Sequence, residues 1–144
     1  TADGPRVLEF NCRFGDPETQ AILPRLGGDL LDALSAAADG ELRGVALEPT
    51  IGAAVTVVLA ARDYPARGDA GTPIAGIEDA EATGALVFHA GTALQDGRLV
   101  TNGGRILNVA ALGDSVAEAR AAAYAAVAHI DFDGMRYRSD IAGA

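Results

Sequence analysis

The eleven residues from Ile51 to Ala61 carry no charge, and Val55, Thr56, Val57 and Val58 follow one another within them. A run this apolar and this rich in β-branched side chains reads as a largely buried strand, which needs a sheet beside it and cover over it. The cover has to be built from small residues, because the 144 residues include 31 Ala and 18 Gly but only 5% aromatics and no Trp. A chain of this length buries roughly 68–70% of its unfolded surface, enough for a core of Val, Leu and Ile. Eleven Lys+Arg against 20 Asp+Glu give a formal charge of −9, which excludes long-range attraction to nucleic acid or an anionic membrane as the main activity. No apolar run reaches membrane-spanning length and no signal segment is recognisable. The single Cys12 rules out a disulfide framework within the chain and suits a reducing, cytoplasmic setting.

Around this strand the pattern is mixed α+β. Arg6 to Asn11 alternates with period 2, which predicts a strand with Leu8, Phe10 and Cys12 on a packed face and Glu9 and Asn11 together on the other. Asp16-Pro17 predicts a helix start with Asp16 as cap. Gly27-Gly28 interrupts, and a second helix runs from Leu30 to Ala38, capped by Asp29 and stopped at Gly40. The Pro- and Gly-rich stretch from Asp63 to Gly76 reads as a loop with at most a short extended piece. Ala85 to Ala90 is a further strand, Gln95-Asp96-Gly97-Arg98 a hairpin turn, and Asn102-Gly103-Gly104 a second turn before a strand over Arg105 to Leu112. Ser115 to Glu118 is a capping box opening an Ala-rich helix that ends near His129, and Ile130 to Arg138 is a short strand or loop.

Glu9 and Asn11, one pleat apart, can offer two hard oxygens to a divalent ion such as Mg²⁺, or can be two polar residues on a solvent-facing edge. Gly15-Asp16-Pro17-Glu18 is a tight turn into a helix, and free N–H groups at such a place can hold an anion. Arg13 can fork onto phosphate oxygens or pair with Asp16 or Glu18. Thr101 to Arg105 can bring backbone close to a ligand or simply turn the chain. His89 reads as a hydrogen-bonded core histidine, His129 as a helix-end residue, and Cys12 as a buried, inert thiol.

The contiguous run Glu9-Phe10-Asn11-Cys12-Arg13-Phe14-Gly15-Asp16-Pro17-Glu18-Thr19-Gln20 resembles the signature of the glycinamide ribonucleotide synthetase (phosphoribosylamine–glycine ligase) family of the ATP-grasp superfamily. The resemblance continues in order through Val87 to Thr92, Val100 to Arg105, Ala111 to Ala119 and Asp133 to Ile141. At Tyr64-Pro65 the family pattern carries a preceding Gly where this chain has Asp63. The resemblance implies a ligase of purine biosynthesis in which ATP phosphorylates the carboxylate of glycine and the amine of 5-phosphoribosylamine displaces phosphate. It further implies Glu9 and Asn11 as ligands of Mg²⁺ or Mn²⁺, Arg13 as the catalytic contact to phosphate or acyl phosphate, and Gly15, Asp16 and Glu18 as substrate-binding residues.

By the same resemblance, residues 1–44 are the terminal strand and helix of an ATP-grasp core, and 45–144 are a small mixed α/β C-terminal domain. The family's ATP-binding region lies upstream of the motif, so these residues alone are expected to be inactive, with the missing upstream domains as their partner. Two other readings compete: a non-catalytic binding or assembly module, and another ATP-grasp carboxylate–amine ligase. The latter shares Glu-x-Asn-x-Arg but not the Gly-Asp-Pro-Glu-Thr-Gln that follows.

Overall fold

The computed structural model describes residues 4–10 and 12–143. The uncharged run forms β1 (Ala53–Ala60). It pairs antiparallel with β6 (Arg105–Gly113), which pairs on its far side with β3 (Leu86–His89). A second antiparallel sheet has β5 (Arg98–Gly103) between β2 (Asp69–Pro73) and β4 (Thr92–Gln95). Both sheets have three strands, and β6 follows β5 directly through Gly104.

The passage between the sheets requires glycine. A Cβ on Gly103 would lie 2.9 Å from the Gly91 Cα, and one on Gly68 would lie 2.7 Å from the Gly103 carbonyl. Asn102-Gly103-Gly104 is therefore no hairpin turn: it is a corner where backbones touch and the chain changes sheets. The hairpin expected at Gln95 to Arg98 does form, with Asp96 and Gly97 at φ of 51° and 77°. That positive pair is what a two-residue turn matching strand twist demands.

One face of the first sheet carries α4 (Val116–Val127). Val57 faces Val109 and Leu59 faces Leu107 across the β1–β6 pair; all four are buried beneath Ala119, Ala123, Ala126 and Val127 of the helix. Alanine lets the helix sit close to the sheet, which is how a chain without Trp fills a core. Ser115 caps α4 through the Glu118 N–H at 3.2 Å, while the Glu118 carboxylate accepts from Asp114 N–H at 3.0 Å. The capping box is met with its return bond shifted by one residue. A short helix not foreseen in the sequence, α3 (Ile77–Ala82), packs against α4 and β3.

The opposite face of the first sheet is covered by α1 (Glu18–Ile22) and the 3₁₀ turn Leu23–Arg25. With cover on both sides, β6 is buried at every position from Ile106 to Ala111, including the polar Asn108. The second helix, α2 (Leu30–Ala38), has the limits its sequence predicts, with Asp29 accepting from the N–H groups of Leu31 and Asp32 at 2.8 and 3.0 Å.

The strand expected at Arg6 to Asn11 is not formed over its described part. Residues 5–10 have no regular structure; Leu8 is 97% exposed and Phe10 83% exposed. Alternation makes a strand only where a neighbouring strand takes up its N–H and C=O groups. Neither sheet here pairs with this segment, so the predicted packed face of Leu8, Phe10 and Cys12 is open to solvent.

Candidate functional site

The motif from Arg13 to Gln20 closes on itself locally and is anchored at long range. Gly15 N–H donates to Glu18 Oε1 at 3.0 Å, and Thr19 N–H donates back to the Gly15 carbonyl at 2.9 Å. Asp16 does not cap α1: the residue preceding the helix is Pro17, and no side-chain cap is made. Its carboxylate faces the central strand instead. Arg105 Nη2 stands 3.2 Å from Asp16 Oδ2, and Arg105 Nη1 donates to the Asp16 carbonyl at 2.8 Å. Gln20 Nε2 and the buried Asn108 Nδ2 both approach Asp16 Oδ1, at 3.0 and 3.5 Å. A guanidinium 89 residues away in sequence thus outcompetes the local helix end for this carboxylate, because its two bonds hold both the side chain and the backbone of Asp16.

The other predicted site residues stand as follows. Glu9 is exposed and makes no hydrogen bond or ion pair among the described residues; Asn11 lies outside the described residues. Arg13 is exposed and pairs with neither Asp16 nor Glu18. The Gly15 N–H is not free for an anion, since Glu18 occupies it. No group of three or more His, Cys, Asp or Glu that could hold a metal occurs among the described residues.

Two sequence readings are corrected. Cys12 is exposed, because the strand meant to bury it is absent. His89 is exposed at the end of an edge strand, its Nδ1 3.1 Å from Thr92 Oγ1. Thr101 is fully buried and donates to Asp69 Oδ2 at 2.6 Å while accepting from Thr72 N–H at 3.0 Å. The Thr101 hydroxyl first, and the Thr72 side chain after it, hold the Asp69 carboxyl below the usual carboxylate range by hydrogen bonding to it.

Arg105 also forms one wall of a cavity of about 430 Å³ that opens beside the motif. The floor is apolar (Val58, Ala60, Ala61), and the polar wall is supplied by the tail segment after α4, through Arg136, Tyr137 and Arg138. Sequence reasoning treated that tail only as a short strand or loop. The signal available was that all eleven basic residues of this acidic chain are arginine. The tail is fastened here by backbone pairing of Arg136 with Ala60, whose two N–H···O bonds measure 2.7 and 2.9 Å.

Residues 54–144 match the family profile described as phosphoribosylglycinamide synthetase, C domain. A phosphoribosylamine–glycine ligase of Neisseria meningitidis serogroup A is 54% identical over 139 residues, covering 96% of this chain and 33% of the relative. One of Caldanaerobacter subterraneus subsp. tengcongensis is 49% identical over 142 residues, covering 99% and 34%. The crystal structure of a phosphoribosylamine–glycine ligase from Thermotoga maritima superposes with a TM-score of 0.83 at 41% identity, over 95% of this chain and 33% of that one. The chain spans about a third of the length of the relatives it matches. A matched profile over more than half the residues and a shared fold at this identity lead to one conclusion: the chain belongs to the phosphoribosylamine–glycine ligase (phosphoribosylglycinamide synthetase) family.

Proposed function

We propose that the complete protein carrying this chain is a cytoplasmic ATP-dependent ligase of purine biosynthesis, joining glycine to 5-phosphoribosylamine through a glycyl phosphate. Its products are glycinamide ribonucleotide, ADP and phosphate. The observation that carries this reading is the identity of about half the residues to curated ligases across nearly the whole chain. In this reading residues 1–44 close an ATP-grasp core whose nucleotide-binding part lies upstream, residues 45–144 are the C-terminal domain, and the 144 residues alone do not turn over.

Each site residue then has a physical task. The Arg13 guanidinium, exposed and uncommitted among the described residues, is available to two oxygens of the transferred phosphoryl group as charge develops there. The carboxylates of Asp16 and Glu18 orient the substrate amine, with the Gly15 N–H holding Glu18 in place and Arg105 and Asn108 holding Asp16. Glu9 presents an exposed carboxylate engaged with nothing else among the described residues, the hard donor that Mg²⁺ or Mn²⁺ takes, and with Asn11 it would hold such an ion. When bound, that ion would neutralise charge on the phosphoryl oxygens.

The test is phosphate release by the complete protein, dependent on ATP, glycine and 5-phosphoribosylamine. Glu9→Ala combined with Asn11→Ala is expected to lower that rate at least 100-fold at a fixed divalent-ion concentration. An unchanged rate would remove the metal role. Calorimetry of the 144-residue chain with Mg²⁺-ATP is expected to show no binding; tight binding would overturn the inactivity of the isolated chain.

A further inference from the structure

The cavity beside the motif reverses the charge of the molecule around it. In a chain of formal charge −9, three of the eleven arginines (Arg105, Arg136 and Arg138) line one depression, together with two tyrosines and no carboxylate. Their existing bonds leave donors unclaimed. Arg105 gives Nη1 and Nη2 to Asp16, and Arg138 gives Nε and Nη2 to Asp140 at 2.8 and 2.6 Å. Arg136 gives only Nη1, to the Arg62 carbonyl at 2.9 Å, and has no carboxylate partner among the described residues. Set against Asp16 and Asp140, the three guanidiniums leave one full positive charge, and it belongs to Arg136. The Tyr64 and Tyr137 hydroxyls face no hydrogen-bond partner among the described residues, so both can donate.

The apolar side of the cavity is equally specific. Val58, Ala60 and Ala61 form its floor, and the Tyr64 ring lies so close to Gly104 that a Cβ there would be 2.7 Å from the ring. Glycine at 104 is what allows an aromatic wall next to Arg105. A dianion flanked by carbon suits such a pocket better than a bare ion: guanidinium forks grip a phosphate while ring and aliphatic faces cover a small carbon skeleton.

We propose that this cavity seats the phosphate and ribose of a sugar phosphate, with Arg136 as its principal phosphate ligand and the Arg105, Arg138, Tyr64 and Tyr137 side chains around it. The identification of the ligand as a phosphorylated ribose rests on the ligase reading above, in which 5-phosphoribosylamine is the substrate. At neutral pH its phosphate carries a charge of about −1.5 to −2. Arg105 touches both the cavity and Asp16, so a sugar phosphate bound here lies next to the loop that carries Arg13.

The experiment is a titration of the 144-residue chain with ribose 5-phosphate, followed by nuclear magnetic resonance, with inorganic phosphate, ribose and Mg²⁺-ATP as parallel probes. Saturable shifts at Tyr64, Arg136 and Tyr137 are expected with ribose 5-phosphate, at least tenfold weaker binding with inorganic phosphate, and none with ribose. Arg136→Met should weaken ribose 5-phosphate binding at least tenfold, and Arg136→Lys should fall between it and the native chain. Urea midpoints of both variants report whether folding is retained. Unshifted cavity resonances, equal binding by a folded Arg136→Met variant, or tighter binding of Mg²⁺-ATP at the same residues would each overturn the proposal. In the complete protein, Arg136→Met should raise KM for 5-phosphoribosylamine at least tenfold and leave KM for ATP and glycine alone. Binding without turnover would remove the ligase reading and keep the site; turnover with an unaltered KM in Arg136→Met would remove the site and keep the ligase.

Discussion

Replacing Asp16 with alanine should cost the isolated chain about 2.5 kcal/mol of stability. The ion pair to Arg105 spans 3.2 Å between side chains that are 35% and 41% exposed. Coulomb attraction at that distance is about 1.3 kcal/mol in water and about 5 at an effective dielectric of 20, and solvent access on both sides keeps the net worth near 1 kcal/mol. The exposed bond from Gln20 adds about 0.5 kcal/mol. Asn108 is the larger matter. Among the described residues its Oδ1 already lacks a partner and Asp16 is the one acceptor bonded to its Nδ2, so the variant buries an amide with neither end satisfied. That costs about 1 kcal/mol, the low end of the usual range because the bond is long. Urea unfolding of Asp16→Ala, Arg105→Met and the double variant isolates the pair. A coupling near 1 kcal/mol that shrinks in high salt is expected. A loss below about 0.5 kcal/mol for Asp16→Ala would refute the view that this carboxylate fastens the motif to the sheet.

Leu107→Ala empties a fully buried position between β1, β3 and α4 and should cost about 3–4 kcal/mol by urea unfolding. Gly76→Ala should prevent normal folding, seen as loss of cooperative thermal unfolding, because φ is +81° and a Cβ would lie 1.8 Å from the His129 carbonyl oxygen. Thr101→Val removes the bond that chiefly lowers the Asp69 carboxyl, so a carbon-detected titration should show its pKa rise. A depressed carboxylate stabilises the fold above its unfolded pKa of about 3.9 and loses that contribution as pH falls through its lower folded value. The native chain should therefore exceed the variant in stability most at neutral pH, with the gap narrowing below about pH 4 as Asp69 protonates.

Elements whose signals lie within a few residues were legible from sequence alone. β1 follows from its uncharged β-branched run, α2 and α4 from Asp29 and Ser115 at their caps, and the β4–β5 hairpin from Asp96-Gly97. Features decided by distant residues were not. Asp16 looks like a cap until Arg105 claims it, and Asn102-Gly103-Gly104 looks like a hairpin until Gly68 and Gly91 press against it. Six residues with no side-chain cap left α3 without a signature. Of the candidate site, the motif from Glu9 to Gln20 was visible as a contiguous pattern. The arginine-lined cavity was not, because its wall is assembled from Tyr64, Arg105 and the tail, three segments that only the fold brings together.

The most direct test of the functional account is the product formed by the complete protein from ATP, glycine and 5-phosphoribosylamine. The account predicts glycinamide ribonucleotide with one ADP and one phosphate per turnover, and at least a 100-fold lower rate when Arg13 is replaced by methionine, since its guanidinium stabilises the transferred phosphoryl group. Product formed at an undiminished rate by Arg13→Met, or ATP consumed without any glycinamide ribonucleotide, would contradict it.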